Sequence, residues 1–246
     1  MPALKWFVIV CAERTGSNLL VSMLRSHPDA SAAGEVFNGR HLDDPIPWPP
    51  ARVRDELIAL RRRDGPALLR ELGTMATAQG LQAFGFKLMY FQGERNPAVV
   101  EFLQGIPDLH VIHLTRQNRL RRFLSHERAR ESDRWQSQRG KAPAPTRPRT
   151  LHIDFEECVR DFLLHMDKER LAARIFDGKP ILEVTYEQLE RDPQAVGHRV
   201  LEFLALPPCE LELGQRKTGT DSLDRAIENL DELRAAFAEW LGYLDD

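Results

Sequence analysis

A run of apolar residues, Trp6-Phe7-Val8-Ile9-Val10-Cys11-Ala12, passes straight into Glu13-Arg14-Thr15-Gly16-Ser17-Asn18, and a helix-like apolar pattern begins at Leu19-Leu20. A short apolar run closed by glycine and polar residues reads as a fully buried strand. A buried strand that feeds a helix through a tight turn belongs in a parallel sheet covered on both faces. The same junction constrains chemistry. The first N–H groups of a helix have no internal partners and carry partial positive charge, so phosphate or sulfate settles there. Gly16 lets the backbone come close to an anion. Thr15, Ser17 and Asn18 offer side-chain donors and a helix cap. Arg14 adds a fork of donors with a fixed charge.

This loop is not a Walker A motif. The first glycine of G-x-x-x-x-G-K-[ST] is missing, and so is the lysine that reaches the terminal phosphates. Ordinary ATP or GTP hydrolysis is disfavoured, and an anion site built around an arginine remains.

Three further apolar runs read as strands: Ala83 to Met89, Leu109 to Thr115 and Pro180 to Tyr186. Helical periodicity is expected at 17–26, 52–63, 66–78, 98–104, 119–134, 154–176 and 193–206, the last begun by Asp192-Pro193, with a final helix at 222–240. Residues 39–50 should form a surface loop. Residues 137–150 carry three prolines and three arginines and should form a mobile loop. Strands alternating with helices predict an α/β fold, a mostly parallel central sheet flanked by helices, in a single domain over 1–246. Ligands of such sheets bind beyond the carboxyl ends of the strands. Arg14, Lys87 and Arg116 all lie at or just past those ends.

The 246 residues suffice for a full α/β core, and 42% hydrophobic with 29% charged residues is an ordinary globular composition. A net charge of −3 provides no field to attract nucleic acid, so no nucleic-acid partner is expected. No apolar run approaches the roughly 20 residues of a membrane span. The N-terminus reads as a strand, without a signal-peptide cleavage site. Cys11, Cys158 and Cys209 are scattered, without zinc-ligand spacing, and suggest a reducing, cytoplasmic location.

Glu13-Arg14-Thr15-Gly16-Ser17-Asn18-Leu19-Leu20 resembles the 5′-phosphosulfate loop of sulfotransferases that use 3′-phosphoadenosine 5′-phosphosulfate (PAPS). The segment from Val111-Ile112-His113-Leu114-Thr115-Arg116 to Ser125 resembles their 3′-phosphate site, and Gln215-Arg216-Lys217-Thr218-Gly219 resembles their late Arg-Lys-Gly segment. Gly34-Glu35-Val36-Phe37-Asn38, Phe84-Gly85-Phe86-Lys87-Leu88-Met89 and Glu228-Asn229-Leu230-Asp231-Glu232-Leu233 resemble a bacterial subgroup that acts on trehalose and on lipochitooligosaccharide nodulation factors. The resemblance implies a P-loop-NTPase-like sulfotransferase fold. It also implies PAPS as co-substrate, PAP as product, no metal, and a carbohydrate or glycolipid acceptor. Cofactor contacts carried over are Arg14, Thr15, Gly16, Ser17, Asn18, Leu19, Arg116, Ser125, Arg216 and Lys217. The oligomeric state is open and includes a homodimer.

Sulfuryl transfer to a hydroxyl needs a positioned acceptor, a stabilised leaving group and a general base. Arg14 suits the leaving phosphate. Glu35 is the candidate base, set in a small, apolar stretch; a capping or solvated carboxylate is the alternative there. Lys87 lies inside an apolar strand pattern and must be paired or sit at the strand's mouth. It would donate to the leaving oxygen or orient the acceptor, the alternative being a structural lysine. His27, His113 and His126 are the other candidate bases. Two rival functions stay open at this point: a P-loop-like kinase, and a nucleotide-binding regulatory protein without turnover.

Overall fold

A computed structural model describes residues 4–38, 51–132, 150–214 and 222–238. In chain order the elements are β1 (Lys5–Cys11), α1 (Ser17–Arg25), β2 (Ala30–Glu35), α2 (Ala51–Arg63), α3 (Gly65–Ala78), β3 (Ala83–Met89), α4 (Tyr90–Arg95) and α5 (Pro97–Gln104). They continue with β4 (His110–Thr115), α6 (Arg119–Ser132), α7 (Phe155–Ile175), β5 (Ile181–Thr185), α8 (Tyr186–Arg191), α9 (Pro193–Phe203), α10 (Leu223–Ala226) and α11 (Leu230–Ala238). The chain divides into two compact units, 1–117 with 168–216, and 118–167 with 217–246.

The first unit holds a five-stranded, all-parallel sheet of order β2-β3-β1-β4-β5. Strand alternation sends successive side chains to opposite faces. Val8, Val10, Phe84, Phe86 and Val111 join a core with α3 and α5. Phe7, Ile9, Ile112 and Val184 join another with α1 and α9. Order reverses about β1, whose neighbours are β3 and β4. The crevice for a ligand in such a sheet opens beside that point, between the loops that leave the strand ends.

Four of the strands follow the apolar runs. β2 departs from expectation. Its Ala30-Ser31-Ala32-Ala33-Gly34-Glu35 has little intrinsic strand preference, yet it pairs with β3 and is buried throughout its first five residues. Glu35 is thus the last residue of an edge strand. Two short helices, α4 and α8, also interrupt what the periodicity reads as strand ends and loops. α8 is opened by a capping box: Gln188 N donates to Thr185 Oγ1 at 3.2 Å, and Thr185 N to Gln188 Oε1 at 3.1 Å. The expected start at Asp192 is present, its carboxylate accepting from Ala195 N at 2.9 Å.

The second unit is helical. Phe123, Phe162, Leu230 and Phe237 lie in its core, where the Phe155 and Phe237 rings meet edge to face at 4.8 Å. The buried Arg122 pairs with Asp161. The single helix expected at 222–240 is broken into α10 and α11. Ile227 bridges to Leu151 instead, and the Asn229 amide bonds both Ile153 N and Ile153 O at 2.9 Å, which holds the chain out of helix. Apart from Thr150, the loop expected at 137–150 lies outside the described residues, as do residues 39–50. Among the described residues no helix is long and apolar enough to cross a membrane.

Candidate active site

The loop after β1 turns sharply. Arg14 and Gly16 both take left-handed backbone angles, with φ of 66° and 81°. Gly16 is the N-cap of α1, and no side chain caps this helix. That corrects the expectation of a side-chain cap from Thr15, Ser17 or Asn18. The Thr15 hydroxyl instead donates back to Ala12 O at 2.9 Å, and Asn18 Oδ1 accepts from Lys87 Nζ at 2.6 Å. The start of α1 therefore keeps the open, electropositive character that suits an anion. A Cβ on Gly16 would come within 2.7 Å of the Tyr186 ring, so glycine is required by space as well as by φ.

Arg116 follows β4 directly, and Tyr186 follows β5. Thr115 pairs with Thr185 in the sheet, so the two next residues emerge side by side. The Arg116 guanidinium lies 4.1 Å above the centroid of the Tyr186 ring, and its Nη1 donates to Arg14 O at 3.1 Å. Arg116 is only 6% exposed. The Tyr186 hydroxyl donates to Glu190 Oε1 at 2.7 Å. Burial, and then that bond, push the Tyr186 phenol up from its ordinary value. Burial pushes the Arg14 guanidinium down, which Tyr186 opposes. The two arginine segments read from the sequence thus meet at one rim of the sheet.

The second cluster joins that rim through Asn18. Glu35 and Lys87 are register partners on β2 and β3. Lys87 Nζ lies 3.0 Å from Glu35 Oε1, with 2% of the lysine side chain and 13% of the glutamate side chain exposed. Glu35 Oε2 accepts from Gln92 Nε2 at 3.2 Å and from Asn38 Nδ2 at 3.3 Å. Lys87 therefore connects the carboxylate to α1, where Asn18 stands one residue past the start. A buried lysine is tolerable here because both of its oxygen partners are in reach.

The other candidate bases are engaged elsewhere. His27 Nδ1 accepts from Asp29 N at 3.0 Å, so its Nε2 donates to Pro207 O at 2.9 Å. His113 bridges Tyr90 Oη at 2.8 Å and Glu183 Oε1 at 2.9 Å on the opposite face of the sheet from Lys87. Ser125 and His126 lie on α6 in the second unit. Arg216 and Lys217 lie outside the described residues. Tyr186, Gln92 and Asn38 are the site residues that sequence reasoning missed. The Thr185-x-x-Gln188 capping box could have announced the helix that Tyr186 opens. No local signal marks Gln92. Among the described residues no group of three or more His, Cys, Asp or Glu could hold a metal ion.

Comparison with known proteins bears on the family and the fold. Residues 7–210 match the family model described as "Sulfotransferase family". Nodulation protein H of Rhizobium meliloti (strain 1021) is 29% identical over 234 residues, covering 94% of this chain and 91% of that protein. Nodulation protein H of Rhizobium tropici is 28% identical over 243 residues, covering 97% of this chain and 91% of that one. The crystal structure of a sulfotransferase from Alicyclobacillus acidocaldarius shares the fold, with a TM-score of 0.54, 20% identity, and coverage of 97% of this chain and 93% of that one.

Proposed function

The chain belongs to the sulfotransferase family, and from that premise we propose that Glu35 is its general base, Arg14 its leaving-group stabiliser, and a carbohydrate or glycolipid hydroxyl its acceptor. The chain is a PAPS-dependent sulfotransferase; the residue roles and the acceptor are the reading advanced here. One observation carries it: Lys87 bridges Glu35 Oε1 and Asn18 Oδ1, which sets a carboxylate beside an anion loop.

The uncapped start of α1, Gly16 with no Cβ, and the two arginines fit a phosphosulfate group. Arg14, Thr15, Gly16, Ser17, Asn18 and Leu19 would hold its 5′ end in a P-loop-like cradle, and Arg116 its 3′-phosphate. When bound, PAPS supplies the sulfuryl group, whose bond to the 5′-phosphate breaks with the electron pair going to that phosphate. Arg14 and the loop N–H groups stabilise the growing charge there. Glu35 takes the proton of the acceptor hydroxyl, whose oxygen forms the new bond to sulfur. Lys87 holds Glu35 in place and sets its positive charge between base and loop.

The carbohydrate or glycolipid acceptor rests on the likeness to nodulation protein H and on the bacterial motifs at Glu35, Lys87 and Asn229. The test is transfer of labelled sulfate from PAPS to lipochitooligosaccharide, chitooligosaccharides and trehalose. Glu35→Gln should lower kcat roughly 10²–10⁴-fold, the range of a lost general base, with PAP affinity by calorimetry unchanged. Full turnover in that variant removes Glu35 from the chemistry. Transfer to none of the sugars removes the acceptor class.

A further inference from the structure

Gln92 is 1% exposed, and its amide is bonded at both ends. Its Oε1 accepts from the backbone N–H of Met89 at 3.1 Å, and its Nε2 donates to Glu35 Oε2 at 3.2 Å. The first bond fixes the amide's orientation. An N–H can only donate, so the oxygen must face Met89 and the nitrogen must face Glu35. The backbone adds a further restraint, since Gln92 O accepts from Asn96 Nδ2 at 2.7 Å.

The placement follows from the β3–α4 junction. β3 ends at Met89 and α4 begins at Tyr90, with no residue between them. A side chain two residues into such a helix folds back over the strand end. Lys87, on the strand, and Gln92, on the helix, therefore reach the same carboxylate from one rigid corner. Lys87 takes Oε1 and Gln92 takes Oε2. Asn38 adds a second amide donor to Oε2, from the chain just past β2.

We propose that Gln92 is a positioning residue for sulfuryl transfer, which locks the rotation of the Glu35 carboxylate through Oε2 while Lys87 holds Oε1. Only an amide meets both demands. A glutamate would accept from Met89 N but would set a second carboxylate against Glu35. A leucine would do neither. Three donors from two directions leave the carboxylate one orientation, and a base that must take a proton from a bound hydroxyl depends on that. The inference rests on Glu35 being the base.

The experiment is a double-mutant cycle on the intact chain, with PAPS and lipochitooligosaccharide as substrates. Gln92→Leu should lower kcat roughly 10–100-fold, as loss of a group that orients a reacting residue does. KM for PAPS, and the affinity for PAP by calorimetry, should stay within about twofold, because no anion-loop contact changes. In the Glu35→Gln background the same change should cost less than about threefold, since residues that act as a unit do not add. Should Gln92→Leu fail to fold for want of the Met89 bond, Gln92→Glu keeps that acceptor and should show the same loss of kcat. If Glu35→Gln alone keeps full turnover, the base reading falls and Gln92 falls with it. If Glu35→Gln loses turnover but the Gln92 variants keep wild-type kcat, or cost as much with Glu35 replaced as with it present, the positioning role alone is overturned.

Discussion

Nη1 of Arg116 donates to the backbone carbonyl of Arg14, 3.1 Å away, and so ties the loop after β4 to the loop after β1. One guanidinium thereby helps set the shape of the cradle in which the other stands. Lysine offers a point charge without the planar fork and cannot lie flat on Tyr186. Arg116→Lys should weaken PAP binding about tenfold or more, one charge-assisted contact's worth. Calorimetry with PAP against AMP, which lacks the 3′-phosphate, checks the assignment. A larger loss for PAP supports a 3′-phosphate contact. Equal losses would confine Arg116 to shaping the loop.

Tyr186 supports that arginine from below and covers Gly16. The aromatic face is the part that matters, since the hydroxyl turns away to Glu190. Tyr186→Phe should leave PAP affinity within about twofold, while Tyr186→Leu should lower it by roughly 2–30-fold, the span of a cation–π contact from exposed to desolvated. Similar losses in both variants would shift the weight to the hydroxyl.

The Glu35–Lys87 pair carries a stability prediction separate from rate. Removing one partner of a buried pair leaves the other uncompensated. Lys87→Met should destabilise the fold by about 3–5 kcal/mol in urea unfolding, the range for breaking a buried pair. Lys87→Met with Glu35→Gln should lose less than the sum of the single changes. Strict additivity would mean that the two charges do not depend on each other.

Cys11 tests the core beneath the loop. Burial pushes its thiol up from 9.0 to about 11, against opposing pulls from Lys87, Ser17 and Thr15. A raised value in the folded state means that the neutral thiol's contribution is complete below pH 9 and is lost as pH climbs toward about 11. In that window the unfolded chain ionises first, at about 1.4 kcal/mol per pH unit. Cys11→Ala should flatten this part of the fall in stability between pH 9 and 11. Chemical unfolding of both proteins across that range checks it, and parallel curves would refute the shift.

The loop of Arg14 and Gly16 was legible because an apolar run, a glycine and a helical pattern follow one another within a few residues. Arg116 was legible for the same reason, as a cation at a strand end. β2 was not, since alanine, serine and glycine carry no strand preference, and pairing to β3 decides their state. The Glu35–Lys87 pair joins residues on two strands and needs the register between them. Gln92 and Tyr186 sit at helix starts like many others, and only the return of the chain from far away gives them partners. Asn229, one of the motif residues of the bacterial subgroup, proves to be a brace for the chain at Ile153.

Arg14 holds a left-handed backbone angle that costs a side-chain-bearing residue about 1–2 kcal/mol relative to glycine. Glycine's greater freedom in the unfolded chain offsets about 0.5–1 kcal/mol of that. On the role proposed for Arg14, selection for heat resistance alone would drift toward Arg14→Gly, a chain sturdier by up to about 1.5 kcal/mol and without its leaving-group stabiliser. A laboratory lineage bred only for thermal endurance should lose its sulfation chemistry at this position first, while one screened for turnover should keep the arginine and the tension in its backbone.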